Sequence, residues 1–288
     1  MNTSIIQNGI SIDLEEYYHA SNLLPFLKKH TKRSRLEQSL MRTLTSLDKS
    51  KVQATFFILG EVAQMHPEAI KRIAAAGHEI AAHSFSHRCI YDLDRAKFKE
   101  EVYRVKELLE QLTGSQVLGF RAPNFSINQR TPWAHEILAE LGYAYDSSIY
   151  PVHHPRYSNP NQSREIQTAK TKSGDLLIVP LATYAMRIPF MARNLNLPLA
   201  GGAYWRLLPR SLIKAGLSSI NKKESLPFFC YYHPWELDPE QPQLTSTYSL
   251  TGWRHYHNIG KFDQILADYF SAFNFTSYAN VLGLKQIM

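Results

Sequence analysis

Short apolar runs recur along the chain with amphipathic stretches between them, and this alternation reads as repeated β–α units. A strand over Ile10–Leu14 precedes a helix over 36–47, where Leu36, Leu40, Leu44 and Leu47 keep helical spacing. Residues 54–59 (ATFFIL) read as a buried strand. Residues 66–77 read as a helix, with Pro67 in its first turn and Gly77 as its stop. Strands are expected again at 78–83, 117–120 and 144–149, separated by a long helix over 92–114 and a shorter one over 132–142. Residues 150–175 read as a polar surface loop and 176–184 as β-structure, followed by an irregular Pro- and Gly-containing segment to residue 209. A strand at 228–233 and a closing helix and strand complete about seven units. The natural burial for that many parallel strands is a closed or nearly closed barrel. The expected fold class is therefore α/β, a closed or nearly closed (β/α) barrel of about seven strands forming one domain over residues 1–288.

Composition narrows the function classes. Hydrophobic residues make up 44% and charged residues 20%, enough apolar mass for a large core and no disordered tract. The N-terminal residues carry no basic stretch followed by a long apolar one, and no window approaches the roughly 18 to 20 apolar residues of a membrane span. A soluble, cytoplasmic protein is expected. Cys89 and Cys230 lack metal-type spacing and read as packing residues. The net charge of +7 is scattered, densest at 28–33 and 221–224. It reads first as a solvated surface. The sharper alternative is attraction to an anionic glycan, a lipid-phosphate carrier or a membrane surface, as a peripheral contact. Nucleic acid is not expected, since no recognition motif accompanies the charge.

The polar residues that could carry chemistry stand at the C-terminal ends of the expected strands, where barrel enzymes assemble their sites. The first strand delivers Asp13, Glu15 and Glu16; the strand at 78–83 delivers His83, with His87 four residues on in HSFSH. Arg121 follows the strand at 117–120, Asp146 lies in YDSS, and His233 follows FFCYY. Two imidazoles with a carboxylate and an open position make a catalytic zinc site, although two His four apart also occur by chance. Ser84 and Ser86 favour a turn between them. On an extended strand end Asp13 and Glu15 share a side, which suits one as metal ligand and one as general base. The bland alternative for this acidic run is a helix N-terminus. For His233 it is a core histidine, and His78 faces away from His83. The other histidines have no such context; His255 and His257 are the next to consider.

In this order, the set resembles the polysaccharide deacetylase family (NodB-type, carbohydrate esterase family 4-like) over residues 8–150 and 226–236. Residues 201–209 (GGAYWRLLP), 227–244 (PFFCYYHPWELDPEQPQL) and 254–262 (RHYHNIGKF) resemble the C-terminal region of exopolysaccharide-locus deacetylases. By that resemblance, the fold is a distorted (β/α) barrel, which residues 200–288 complete as a family-specific part. It implies Asp13 as general base, two histidine ligands at His83 and His87, and His233 as general acid. Arg121 would orient Asp13, and Asp146 would support His233 or Arg121. The family motif has two adjacent aspartates where this chain has DLEE, so strand alternation selects Glu15 as carboxylate ligand, with Glu16 second. RAPN stands where the family has Arg-x-Pro-Tyr, which places Asn124 at a substrate contact; Trp235 and Arg206 are the other expected contacts.

The implied activity is hydrolysis of N-acetyl groups on N-acetylhexosamine units of a bacterial exopolysaccharide or its precursor. Its cofactor would be a divalent ion, zinc first, with cobalt or nickel as alternatives. Two competing readings keep the fold. One is hydrolysis of a different amide, such as an N-formyl group on a lipid-linked sugar. The other is a glycan-binding barrel without chemistry, which the presence of base, ligand and acid candidates opposes.

Overall fold

The computed structural model describes residues 6–27, 32–154, 160–186 and 195–285. His30 and the first four residues of the basic run at 28–33 therefore lie outside the described residues, as do parts of the 150–175 and 185–209 segments.

The strands are β1 (Asn8–Leu14), β2 (Thr55–Ile58), β3 (Glu79–Ala82), β4 (Gly119–Phe120), β5 (Tyr145–Asp146), β6 (Gln167–Thr171), β7 (Gly174–Ile178), β8 (Thr183–Met186), β9 (Leu195–Pro198), β10 (Phe229–Tyr232) and β11 (Phe275–Thr276). Seven of them run parallel in the order β10-β1-β2-β3-β4-β5-β7. Beyond β7 the chain stays hydrogen-bonded to the continuation of β5, Leu181 N–H donating to Ile149 O. It then reaches β10, where Ala182 N–H donates to Phe229 O at 2.9 Å. Among the described residues that one backbone bond closes the ring, so the barrel is distorted where β7 meets β10 and regular around β1.

The helices are α1 (Leu36–Ser50), α2 (Gly60–Met65), α3 (Pro67–Ala75), α4 (Arg95–Thr113), α5 (Ala134–Glu140), α6 (Gly202–Leu207), α7 (Arg210–Ser219), α8 (Leu250–Tyr256), α9 (Phe262–Ala272) and α10 (Tyr278–Leu282). Local chemistry fixes their ends. The Asp94 carboxylate accepts from Lys97 N–H at 2.8 Å, a cap worth ~1 kcal/mol, and Gly114 takes the left-handed φ that ends α4. Along α4, Phe98, Val102, Val105 and Leu109 face the core.

Three sequence readings are corrected. Within the polar 150–175 segment, β6 pairs antiparallel with β7, its exposed face giving it a polar sequence. The segment to residue 209 contains β9, paired with β8, and α6. The last expected strand shrinks to β11, followed by α10.

Both ends of the chain complete the same ring. β11 pairs parallel with the start of β1, and α10 covers the barrel floor. There Tyr278 N–H donates to Thr55 Oγ1 and Ala279 N–H to Glu79, at the first residues of β2 and β3. β1 is buried throughout, because both its faces are covered. Ser11 and Asp13 point into the ring, where both accept from Arg121.

Candidate metal centre and catalytic cavity

Strand periodicity carries Asp13 and Glu15 to the cavity side at the open end of β1, and Glu16 to the other. Glu16 accepts from the Arg35 backbone N–H at 3.1 and 3.2 Å. Glu15 instead lies 3% exposed among histidines. One ligand atom from each of Glu15, His83 and His87 lies within 4.8 Å of the others.

The HSFSH turn is shaped by the backbone and by a helix. Ser84 and His87 both adopt left-handed φ, 64° and 58°. Glu101 of α4 receives the Ser84 hydroxyl at 2.8 Å and the Ser86 hydroxyl at 2.6 Å, which pins the loop. His83 Nδ1 is 2.8 Å from the Arg121 carbonyl. A carbonyl only accepts, so Nδ1 carries the proton and Nε2 keeps its lone pair. Burial pushes this imidazole down to about 4, which keeps it neutral.

The donor set fits a divalent cation. Glu15 Oε2 lies 2.8 Å from His87 Nε2, a charge contact without hydrogen-bond alignment. It is one of three buried side-chain oxygens without a hydrogen-bond partner among the described residues. A buried carboxylate oxygen facing imidazole nitrogens matches the chemistry of a carboxylate–His–His ion site. Burial pushes the Glu15 carboxyl up, but His87 and His233 outweigh it and hold it well below the usual carboxylate range.

Arg121 is fully buried, and each of its five N–H donors has a partner: Ser11, Asp13 (2.6 Å), the Ser147 carbonyl and hydroxyl, and the Tyr278 hydroxyl. Its plane lies 4.1 Å over the Phe57 ring. This geometry fixes Asp13 in one orientation with its charge paired.

Asp146 does not take the place expected of it. It contacts neither His233 nor Arg121; it accepts from the Ser148 hydroxyl and sits 3.2 Å from His135. A one-residue shift explains this, since Ser147 is the residue that meets Arg121. The carboxylate beside His233 is Glu236, 2.9 Å from Nδ1, with Glu15 3.3 Å from Nε2. Glu236 is in turn held by Arg206 Nε at 2.8 Å. Both are buried, and Gly202 makes room for them: a Cβ there would lie 2.4 Å from the Glu236 carboxylate oxygens. Burial lowers the His233 imidazole, but Glu15 and then Glu236 raise it to about 9.

The expected substrate contacts are likewise revised. Arg206 lines the cavity, yet its remaining bonds go to the carbonyls of His255 and His257, so it supports Glu236. Trp235 stands between His233 (4.8 Å) and His255 (4.6 Å), both stacked on it. With both faces covered, it is a wall and not a platform for a sugar ring. Asn124 sits at φ 53°, which asparagine tolerates. Its amide holds Ser21 at 2.5 Å and Cys89 at 3.5 Å.

These side chains surround a cavity of about 420 Å³ that also reaches His19, Asn22 and Arg254. His19 has no site context in the sequence. It stacks on His87 at 5.5 Å, and its Nδ1 accepts from Glu16 N–H. Glu236 was also missed, although its His-x-x-Glu spacing is that of a reciprocal helix cap.

Comparison with known proteins follows this geometry. Residues 34–145 match the polysaccharide deacetylase family, and residues 147–283 match a domain of unknown function, DUF3473. A peptidoglycan-N-acetylglucosamine deacetylase of Bacillus cereus is 33% identical over 96 residues, 33% of this chain and 35% of that protein. A chitooligosaccharide deacetylase of Bradyrhizobium is 28% identical, over 43% of this chain and 55% of its own length. The chain thus spans about a third to a half of these relatives. Among solved structures, a Mycobacterium smegmatis protein described as a polysaccharide deacetylase superposes with a TM-score of 0.57 at 20% identity, covering 96% of this chain and 92% of that one. A Bacillus anthracis CE4 family pseudoenzyme gives 0.50 at 13% identity, covering 97% and 66%. The chain thus carries a polysaccharide deacetylase family domain over residues 34–145, followed by a DUF3473 region over residues 147–283.

Proposed function

We propose that the protein is a divalent-metal-dependent N-deacetylase acting on N-acetylhexosamine units of a bacterial exopolysaccharide or its precursor. The observation that carries this reading is the Glu15–His83–His87 cluster, flanked by Asp13 on one side and His233 on the other. The named relatives support the glycan class, since their names specify N-acetylglucosamine in peptidoglycan and chitooligosaccharides. The DUF3473 region, with its resemblance to exopolysaccharide-locus deacetylases, supports the finer substrate.

An amide is a poor electrophile and water a poor nucleophile. Glu15, His83 and His87 would hold the divalent ion, zinc in our reading, which when bound would supply a lowered water pKa and polarisation of the acetyl carbonyl. The remaining work belongs to the chain. Asp13, held at Oδ1 by Arg121, takes the proton of the attacking water. His233 is held at Nδ1 by Glu236 and gives the Nε2 proton to the leaving amine, whose departure would otherwise lose to expulsion of water. A complete set of base, ligands and acid favours chemistry over a glycan-binding barrel.

The test is product analysis on N-acetylated oligosaccharides with zinc, cobalt or nickel supplied. Acetate release is expected. Release of formate alone from an N-formylated sugar would replace the acetyl reading with the deformylase one, and no product with any ion would leave the binding barrel. A smaller expectation concerns the loop. Glu101→Gln should weaken metal binding by about 10- to 100-fold, because Ser84 and Ser86 lose the carboxylate that pins them. Metal titration checks this, and unchanged affinity would remove Glu101 from the account.

A further inference from the structure

Exposed apolar side chains concentrate around the cavity mouth. Among the described residues ten large hydrophobics are exposed, and five stand here: Leu24 (52%), Phe26 (39%), Tyr248 (99%), Leu250 (81%) and Trp253 (46%). They come from two segments that flank the same opening. Ala20, Ser21 and Asn22 line the cavity just before Leu24, and Arg254 and His255 line it just after Trp253. Trp235 joins the two segments, packing in one apolar cluster with Leu23 and stacking on His255.

The exposure is built and not slack. Ser249 caps α8 by accepting from Gly252 N–H at 3.0 Å, and Leu244 N–H donates to the Tyr256 hydroxyl at 2.8 Å. A Cβ at Gly252 would lie 2.1 Å from the Ser246 carbonyl, so the turn closes tightly there. The helix buries Gly252 and His255 and turns Leu250 and Trp253 outward.

Exposed charge around these segments is mostly positive, with Glu61 near Tyr18 as the acidic exception. Lys32, beside the Tyr18 ring, Arg33 and Arg254 are exposed, whereas Asp238 and Glu240 are both engaged by Arg35. Leucines can neither hydrogen-bond nor present a ring to a sugar, which makes a glycan a poor occupant for Leu24 and Leu250. A bilayer interface takes this mixture: leucine and phenylalanine among acyl chains, tryptophan and tyrosine at the headgroups, lysine and arginine on lipid phosphates.

We infer that the cavity mouth docks on an anionic lipid bilayer and receives a membrane-anchored glycan from that surface. The substrate half of this inference rests on the deacetylase reading; the docking half does not.

The experiment uses the metal-loaded full chain. It is sedimented with phosphatidylcholine vesicles and with vesicles of phosphatidylcholine and phosphatidylglycerol, beside the Leu24→Ser/Leu250→Ser double variant. The expected result is preferential binding to the anionic vesicles, weakened at least about tenfold in the double variant by loss of inserted apolar surface. Acetate release from a soluble N-acetylated oligosaccharide should be the same in both proteins. Equal binding to the two vesicle types overturns the inference, as does equal binding by the two proteins. Loss of a dimer in the variant with vesicle binding unchanged identifies a second copy as the occupant and overturns it too. Vesicle binding as expected, with no acetate released by either protein, would fail the deacetylase reading and leave the docking intact.

Discussion

Replacing both His83 and His87 by alanine is expected to abolish tight metal retention and turnover together. Each imidazole offers a nitrogen to the same small volume, and Glu15 alone is a single buried carboxylate that cannot hold a divalent ion against water. Elemental analysis after dialysis reads the metal, and acetate release reads the chemistry. Stoichiometric metal in the double variant would refute the assignment. The carboxylates separate further. Glu15→Gln should weaken metal binding strongly, because Oε2 is the buried oxygen left without a hydrogen-bond partner. Glu16→Gln should be mild, because Glu16 serves the Arg35 backbone. Asp13→Asn should keep the metal and lose turnover, since Asp13 is paired with Arg121 outside the ligand cluster. If Glu16→Gln strips the ion and Glu15→Gln does not, the alternation along β1 has been misread.

That alternation shows what a sequence makes legible here. Ser11, Asp13 and Glu15 share a side because the strand period is two, and periodicity needs no partner to be seen. α3 and the end of α4 were legible for the same kind of reason: Pro67, Gly77 and Gly114 act through their own backbones. The failures depend on distant partners. β6 reads as a loop because only its pairing with β7 makes it a strand, and its exposed face gives no apolar signal. Asp146 was chosen as a carboxylate in the right stretch, yet β5 turns Ser147 toward Arg121. Glu101 is invisible in the HSFSH motif because α4 brings it there from outside. Arg206 looked like a substrate contact because nothing local shows that Glu236 will claim it. The bland reading of each lone histidine was reasonable until the fold put six of them around one cavity: His19, His83, His87, His154, His233 and His255.

For His233 the decisive quantity is a proton. His233→Ala should fold and retain metal but lose on the order of 10²- to 10⁴-fold in kcat, the scale of acid catalysis. Metal retention is expected because Glu15, His83 and His87 form their cluster without it. The acid must be an imidazolium, so activity is present below its pKa and falls as pH rises through it. Burial alone would lower that pKa; Glu15 and Glu236 raise it from the ordinary 6.5 to about 9. A cation on Glu15 would withdraw the first of these supports and leave Glu236, so the alkaline limb of kcat/KM in the metal-loaded protein should fall below about 9. Glu236→Gln keeps the shape but removes the charge. Its alkaline limb should move to lower pH, with KM for the oligosaccharide little changed, because Glu236 touches His233 and Arg206 and lies outside the cavity lining. Asp146→Asn should leave the limb where it is, since Asp146 faces His135 and Ser148. A limb that follows Asp146 and ignores Glu236 would return the imidazolium's support to the aspartate that the sequence first suggested. Near-normal turnover in His233→Ala would make His233 a packing residue and leave the leaving amine without its proton donor.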